Sequence, residues 1–390
     1  MSIQREITSQ AEKHLEMDDA LLFIGARQAG KTTILRQLEN LIKTRGQPTI
    51  FLNLEDREIL SLLDQSLKNL FQIAPIDLQT KTFVFVDEVQ YLKDPTNFIK
   101  YFFDEYRGKI KIVASGSSAF YVDRGFRDSL VGRKKIFNVY TLSFREFLRF
   151  KGEDALSARD FSDLTKMELD RLHPLLAQYM AYGGYPRAVM APLEEKRNVL
   201  TDILYSYIKK DIYEAGVRRE ETFYRLFKAL AQQVGSLVNA SELAATFGVS
   251  QPAIDNYLYV MRKSFHIELI RPFYRNIRKE ITKMPKVYFY DLGLRNVILN
   301  NFNLHETRHD KGQILENLFF RALLERTTID EIRFWRTAAQ NEIDFVVGDQ
   351  AYEIKSNKQS ARAEKYKIFQ QEYPEINLEF LDLNDIVGFL

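Results

Sequence analysis

The stretch Gly25-Ala26-Arg27-Gln28-Ala29-Gly30-Lys31-Thr32 decides how the first part of this chain folds. It joins an apolar run at 21–24, a predicted strand, to a helical pattern that starts near residue 34. In that setting the spacing G-x-x-x-x-G-K-T predicts a loop whose backbone N–H groups cradle phosphate. Lys31 is expected to reach the β- and γ-phosphates of ATP, and the Thr32 hydroxyl to ligate Mg²⁺. The predicted nucleotide-binding residues are all eight of this stretch together with Thr33.

A second apolar strand, predicted at 82–86, ends in two carboxylates, Asp87 and Glu88. Asp87 is expected to hold Mg²⁺ through water, and Glu88 to polarise the attacking water. Ser117, after the next apolar strand, is a candidate sensor of the γ-phosphate. Strands that alternate with helices predict a parallel, doubly wound α/β sheet. Sites in such sheets lie at the carboxyl ends of the strands, where these polar residues fall.

The composition restricts the class of protein. No apolar run approaches the roughly 20 residues that span a bilayer, and charges interrupt the start of the chain, Met1 to Glu6, so no signal peptide is expected. Cysteine is absent, which excludes disulfides and thiolate zinc sites. We therefore expect a cytoplasmic protein without membrane contact. The net charge is only +2, so an argument for nucleic acid must rest on local basic patches.

Arg133 follows a glycine within a basic region and is the preferred candidate for an arginine finger, acting in cis or from a neighbouring subunit. A solvated basic face explains the same residue equally well. Residues 151–220 turn polar and then helical, which indicates a lid or linker.

Residues 221–290 have the order of a winged helix. A short helix, the turn Gly248-Val249 and a helix capped by Ser250 are followed by two strands, 267–270 and 287–290, that can pair as a wing. Between 262 and 286 the chain carries only two acidic residues against eight basic ones: Arg262, Lys263, Arg271, Arg275, Arg278, Lys279, Lys283 and Lys286. This pattern predicts a basic wing facing the phosphate backbone of DNA. Because the reading helix carries few basic residues before Arg262, a winged helix that serves only for packing between domains is the alternative.

The last part of the chain carries a second cluster of charged residues. Glu353 and Lys355 share one face of a strand, and a hairpin would place Asp344 beside them. Glu316, from a helix at 312–326, completes the set. Such carboxylates can hold Mg²⁺, with Asp344 and Glu353 as ligands, and a lysine can stabilise charge that develops on a phosphate. Cross-strand charge pairing is the alternative.

The order of these motifs resembles prokaryotic P-loop ATPases of AAA+/STAND type that carry a winged helix and a C-terminal PD-(D/E)xK nuclease-like domain. The residues that carry the resemblance are Gly25–Thr32, Phe83–Gln90, Ser115–Ser118, Leu130–Arg133, Leu142–Phe147, Gly183–Pro186, Asn341–Phe345 and Glu353–Lys355. The resemblance implies an α/β fold with four parts: a parallel-sheet P-loop ATPase domain at 1–150, the helical lid at 151–220, the winged helix at 221–290 and an α/β restriction-endonuclease-like domain at 291–390. It also implies catalytic roles for Lys31, Glu88, Arg133, Glu316, Asp344, Glu353 and Lys355.

The function expected from the whole pattern is a Mg²⁺-dependent ATP hydrolase that binds duplex or branched DNA. Hydrolysis would be coupled to DNA remodelling or to metal-dependent cleavage. One alternative is a DNA translocase or junction-remodelling motor whose nuclease-like domain is a non-cutting clamp, assembled as a homo-oligomeric ring. The other is a STAND-type ATP switch that acts through a protein partner.

Overall fold

The computed structural model describes residues 3–116, 130, 132–214, 216–217, 219–274, 280, 283–303, 305–337, 339–358 and 363–390. The predicted sensor Ser117 and three residues of the basic segment, Arg275, Arg278 and Lys279, lie outside these ranges. The chain forms two compact units. The first comprises Met1–Thr141 with Lys263–Phe265, and the second comprises Leu142–Arg262 with His266–Leu390.

The first unit is built around a five-stranded sheet in the order β2-β3-β4-β1-β5, in which all neighbours are parallel. The expected parallel α/β fold of this part is therefore confirmed. Strands β1, β3 and β4 are buried at every position, as their apolar runs predicted. The strands are Ala20–Gly25 (β1), Thr49–Asn53 (β2), Thr82–Asp87 (β3), Ile110–Gly116 (β4) and Lys134–Val139 (β5), and the helices are Glu6–Glu12 (α1), Lys31–Thr44 (α2), Arg57–Gln65 (α3), Leu70–Ile73 (α4) and Pro95–Glu105 (α5).

Two helices are shorter than their apolar patterns suggested. The apolar spacing over 3–16 predicts one helix, but α1 ends at Glu12. The spacing over 57–72 also predicts one helix, but α3 ends at Gln65 and Ser66 has extended backbone before the single turn of α4. In both cases the apolar residues beyond the helix, such as Leu15 and Leu70, are buried although they are no longer part of it. The apolar pattern therefore reports burial rather than the length of the helix.

Gly25 has a packing role that the phosphate-binding pattern does not reveal. It pairs with Val139 of the neighbouring β5, and a Cβ at this position would lie 2.0 Å from the Val139 carbonyl oxygen. Only glycine permits that approach. β1 lies between β4 and β5, at the point where the strand order reverses. The loop after Gly25 leaves the sheet there, and ligands of such sheets bind at this point.

The second unit combines helices with a six-stranded mixed sheet in the order β11-β10-β9-β8-β6-β7. Its strands are Ile267–Pro272 (β6), Lys286–Phe289 (β7), Arg333–Arg336 (β8), Glu342–Val347 (β9), Gln350–Ile354 (β10) and Asn377–Leu381 (β11). Its helices are Phe144–Phe150 (α6), Asp154–Ser157 (α7), Lys166–Tyr182 (α8), Pro186–Met190 (α9), Lys196–Glu214 (α10), Glu220–Gln232 (α11), Ala240–Phe247 (α12), Gln251–Lys263 (α13), Leu292–Leu299 (α14), Lys311–Leu323 (α15), Lys367–Glu372 (α16) and Leu383–Val387 (α17).

The two strands expected to form a wing do pair antiparallel, with Ile267 opposite Phe289 and Leu269 opposite Val287. They do not stand alone, because β6 also pairs in parallel with β8 at Arg271 and Pro272. The strands that follow the helices α11 to α13 are thus part of the same sheet as the C-terminal strands. Although β8 and β6 separate β9 from β7 in the strand order, the side chain of Lys286 in β7 contacts residues of α15 and β9.

At Phe289, one side chain of α15 closes the outer edge of β7, next to the backbone bonds of Val287 with Gly235 and Ser236. Asn317 is fully buried; its Oδ1 accepts from the Phe289 N–H at 2.7 Å, and its Nδ2 donates to the Phe289 carbonyl oxygen at 2.9 Å. These two bonds replace those that a further strand would make. Asn317 therefore covers an edge that would otherwise bury an unpaired peptide group.

A buried ion pair holds the start of α15 to α14. Arg295, fully buried, lies 2.8 Å from Asp310 Oδ2, and Arg308 Nε donates to Asp310 Oδ1 at 2.7 Å. Burial alone would raise the pKa of Asp310, but hydrogen bonds from Arg308 and the charge of Arg295 outweigh it and hold this pKa well below its usual range. Asp310 is therefore ionised in the folded chain.

Candidate functional site

The predicted phosphate-binding loop lies at the carboxyl end of β1. Lys31 begins α2 and is 4% exposed, and its Nζ donates to the carbonyl oxygens of Gly25 and Ala26 at 2.9 Å each. Gly30 (φ +100°) and Gln28 (φ +54°) have the left-handed backbone that curls the loop over this ammonium group. The loop thus holds a buried cation at the N-terminus of a 14-residue helix, which is the electrostatic arrangement that binds phosphate.

Thr32 and Asp87 lie side by side, as expected of a metal ligand and a carboxylate that holds the same ion through water. The Thr32 hydroxyl donates to Asp87 Oδ2 at 2.7 Å. The other carboxylate oxygen of Asp87 accepts from the fully buried Ser115, which fixes the orientation of this carboxylate. The donor set therefore fits Mg²⁺ without rearrangement of the strands.

Glu88 follows directly, at the end of β3. Its backbone is left-handed (φ +57°), its N–H donates to Ser115 Oγ at 3.1 Å, and its carboxylate accepts from the Gln90 side-chain amide. A non-glycine residue in this conformation is strained, and such strain concentrates at functional sites. Gln90 closes the segment Phe83–Gln90 that carries the resemblance, but no site role was assigned to it from the sequence.

Arg5 also reaches this loop, from the residue before α1. Its guanidinium is 6% exposed and donates to the carbonyl oxygens of Ala29 at 2.6 Å and Tyr140 at 3.0 Å. Ala29 belongs to the phosphate-binding loop, and Tyr140 follows β5. Arg5 therefore ties the loop to the chain beyond the edge strand. Nothing in the local sequence indicated this contact, because its partners are 24 and 135 residues away.

The structure does not bring Arg133 to the phosphate-binding loop. Arg133 precedes β5, its carbonyl oxygen accepts from the N–H of Ala20 at the start of β1, and its Nε donates to Asp104 at 2.8 Å. Because β1 and β5 are parallel, their starts lie at the edge of the sheet opposite the loop. A role in cis therefore has no geometric basis here, and a finger supplied by another subunit stays a prediction.

The C-terminal candidates, in contrast, are brought together. The hairpin of β9 and β10 places Asp344 against Glu353: Asp344 Oδ2 accepts from the Ile354 N–H at 2.9 Å. Glu353 Oε1 pairs with the Lys355 ammonium and accepts from the Tyr366 hydroxyl at 2.8 Å. Glu316 of α15 joins the cluster from the other side, through a shared contact with a buried ammonium group.

That ammonium group belongs to Lys286, which was counted with the basic surface. Its side chain is 1% exposed, and its Nζ lies 2.6 Å from Glu342, 3.2 Å from Glu316 and 3.3 Å from Asp344. The assignment to a DNA-facing surface is wrong for this residue, because the first position of β7 points into the unit. Within the described ranges, no three His, Cys, Asp or Glu side chains are grouped so as to hold a metal ion.

Burial and mutual repulsion shift the ionisation of this cluster. Burial, followed by the charge of Asp344, raises the pKa of Glu316 to about 8 and that of Glu353 to about 7. Burial would lower the pKa of Lys286, but the charges of Glu316, Asp344 and Glu342 outweigh it and raise this pKa. Lys286 therefore remains a cation among carboxyl groups at neutral pH.

Three family models match parts of the chain. Residues 18–148 match an AAA domain, residues 173–305 match a "Domain of unknown function (DUF8612)" and residues 311–382 match a "Domain of unknown function (DUF4143)". The first match covers β1 to β5 and every predicted nucleotide contact. Together with the geometry of the loop, this match supports a P-loop ATPase domain in this part of the chain.

Relatives extend over most of the chain. An uncharacterized protein of Haemophilus influenzae is 27% identical over 315 residues, which cover 77% of this chain and 73% of the relative. The uncharacterized protein MJ1544 of Methanocaldococcus jannaschii is 25% identical over 378 residues, covering 93% and 81%. Among solved structures, AMPPCP-bound DnaA from Aquifex aeolicus aligns with 67% of this chain and 89% of its own, at 17% identity and a TM-score of 0.31. Of the helices described, none is long and apolar enough to cross a membrane.

Proposed function

We propose that this protein hydrolyses ATP with Mg²⁺ at the loop of residues 25–32. The observation that carries the proposal is the 2.7 Å contact between Thr32 and Asp87, beside the buried ammonium of Lys31 at the same edge of the sheet. Mg²⁺ bound by Thr32 and Asp87 would neutralise charge between the β- and γ-phosphates. Lys31 exchanges its carbonyl partners for phosphate oxygens when ATP enters.

Glu88 supplies the remaining chemistry. Its carboxylate orients a water molecule towards the γ-phosphorus and accepts a proton as the new P–O bond forms and the bond to the bridging oxygen breaks. Gln90, by donating to that carboxylate, sets where it points. Ser115 holds both Asp87 and the Glu88 backbone, so the metal ligand and the base keep a constant separation.

The test is steady-state ATP hydrolysis by the full chain. Glu88→Gln is expected to lower kcat by about 10²–10⁴-fold, the usual contribution of a general base. Lys31→Ala is expected to abolish measurable turnover. Lys43→Ala is the matched control for Lys31, because it lies in the last turn of the same helix with its side chain 54% exposed and should leave turnover unchanged. Equal rates for Lys31→Ala and Lys43→Ala would refute the proposal.

We further propose that the second unit binds DNA and that hydrolysis remodels it. The support is the basic segment that precedes β7, in which Arg271 and Lys283 are exposed, and the helix order of α11 to α13 followed by paired strands. Duplex and branched DNA are expected to stimulate hydrolysis, with affinity that falls steeply with salt. The double variant Arg271→Ala/Lys283→Ala should weaken binding, whereas Lys228→Ala, on the exposed face of α11, should not.

A STAND-type switch that acts through a protein partner is the second candidate. The observation that favours it is the exposed face of α13, which carries Gln251, Asp255 and Asn256 and no basic residue, while Arg262 pairs with Glu268 at 2.5 Å. Absence of any DNA response would favour this candidate. A ring-shaped homo-oligomer in light scattering with nucleotide would favour the remodelling motor, because an arginine finger such as Arg133 would then come from the neighbouring subunit.

A further inference from the structure

The carboxylate cluster of the second unit already contains a cation. Lys286 begins β7, and its ammonium group contacts Glu342 and Asp344 of β9 and Glu316 of α15 within 3.3 Å. Carboxyl groups 30 to 58 residues away from Lys286 in sequence thus converge on one buried positive charge. An ammonium among three carboxyl groups satisfies the same electrostatic demand that a bound metal ion would.

The oxygen atoms are engaged accordingly. Asp344 uses one oxygen for Lys286 and the other for the Ile354 N–H. Glu316 Oε1 accepts from both Lys286 and the Tyr288 hydroxyl, and its Oε2 packs on Gly235, where a Cβ would lie 2.6 Å away.

Glu353 directs Oε1 to Lys355 and Tyr366. Its Oε2 is buried and, among the residues described, has no hydrogen-bond partner. Mg²⁺ takes one or two protein carboxylates and keeps several waters. A divalent ion that reached Asp344 would lie against the buried Lys286 ammonium, which already contacts that carboxylate at 3.3 Å. The divalent ion implied by the resemblance to nucleases therefore does not fit this arrangement.

We infer that the Lys286 ammonium is the resident cation of this cluster, in place of a divalent metal, and that the C-terminal segment consequently does not cut DNA. Lys286 instead fastens β7 to α15 and β9, so that the strands after α13 and the C-terminal sheet behave as one body. Among the functions considered, this removes metal-dependent cleavage. The inference concerns the carboxylate cluster alone and stands whether or not the loop at 25–32 hydrolyses ATP.

The experiment is a Mn²⁺ titration of the full chain without nucleotide, followed by electron paramagnetic resonance. The wild type and Asp344→Asn are expected to bind equal amounts of Mn²⁺. Asp349→Asn, a control on the exposed β9–β10 turn, should bind the same amount. Lys286→Met is expected to gain one Mn²⁺, with affinity at least about tenfold above that of the wild type because a contacting positive charge is gone. The double variant Lys286→Met/Asp344→Asn should lose that ion again.

A Mn²⁺ ion bound by the wild type and lost in Asp344→Asn, but kept in Asp349→Asn, would overturn the inference. So would nicking of supercoiled DNA with Mg²⁺ or Mn²⁺ that disappears in Asp344→Asn. Circular dichroism establishes whether Lys286→Met is folded. If it is folded and gains no ion, the inference also fails. If it is unfolded, the comparison of wild type with Asp344→Asn decides the matter, since neither protein lacks the lysine.

Discussion

Replacing Arg5 by Met removes the guanidinium that ties the phosphate-binding loop to the chain after β5. Two hydrogen bonds from a charged donor are lost, one buried, to the carbonyl oxygen of Ala29, and one partly buried, to that of Tyr140. Bonds of this kind contribute about 1.5–3 kcal/mol each, and water entering the space recovers part of that. We expect the free energy of unfolding of the first unit to fall by about 3 kcal/mol.

The same substitution should also weaken ATP binding, because Ala29 lies in the loop that wraps the phosphates. If about 1.4 kcal/mol of the lost energy had held the loop in its binding conformation, the KM for ATP rises about tenfold. The kcat should change less, because Lys31 and Glu88 are untouched. Arg5→Lys keeps the charge but not the two-pronged geometry, and should lie between Arg5→Met and the wild type.

The assay pairs urea unfolding, followed by circular dichroism, with ATP turnover on the same samples. Arg45→Ala is the control: Arg45 pairs with Glu12 of α1 at 2.5 Å, but its side chain is 36% exposed, so we expect a loss below about 1 kcal/mol and an unchanged KM. The reasoning is refuted if Arg5→Met and Arg45→Ala have the same stability and the same KM.

Three further substitutions test the packing described above. Gly25→Ala places a Cβ 2.0 Å from the Val139 carbonyl oxygen, so β1 and β5 must separate, and thermal unfolding should show a loss of at least about 3 kcal/mol or no soluble protein. Asn317→Leu leaves the N–H and carbonyl of Phe289 unpaired in the interior, and chemical denaturation should show a loss of about 2–5 kcal/mol. Asp310→Asn leaves two arginines without their counter-ion and should lower the free energy of unfolding by about 3–5 kcal/mol at pH 7. The pKa of Asp310 is lowered in the folded chain, so the stabilisation from its charge is present above about pH 4 and fades below it. The difference in stability between wild type and variant should therefore shrink on acidification.

One control and two contrary outcomes apply to these three substitutions. Gly312→Ala, in the first turn of α15 with no atom within 4 Å of the added Cβ, should leave stability within about 0.5 kcal/mol of the wild type. A soluble Gly25→Ala protein of wild-type stability would show that β5 does not approach Gly25 as described. For Asp310, a gap that stays constant from pH 7 to pH 3 would rule out the ion pair as its source.

The sequence alone was sufficient for most of the first unit. The apolar runs that became β1, β3 and β4 are continuous because both faces of a parallel strand are buried, and this pattern is local. The spacing from Gly25 to Thr32 predicted the loop and its helix. Because parallel strands all end at one edge, it also followed that Asp87 and Glu88 would lie beside Thr32. In the C-terminal part, the alternation around Asp344 and Glu353 was enough to predict a hairpin that brings them together.

Only the tertiary structure decided which charged side chains are buried and paired, and which lie near the phosphate-binding loop. The local sequence predicts that Lys286 is exposed, like the other basic residues of its segment. In the fold it contacts carboxyl groups 30 and 58 residues away, and these contacts make it a buried cation. Arg133 sits at the far edge of the sheet because β5 runs parallel to β1, a pairing that its own sequence does not encode. Arg5 and Asn317 find their backbone partners at comparable distances along the chain. Periodicity and motif spacing report the residues within a turn or a strand, whereas the partners of a buried polar group are set by how distant segments pack, and that becomes visible only once the chain is folded.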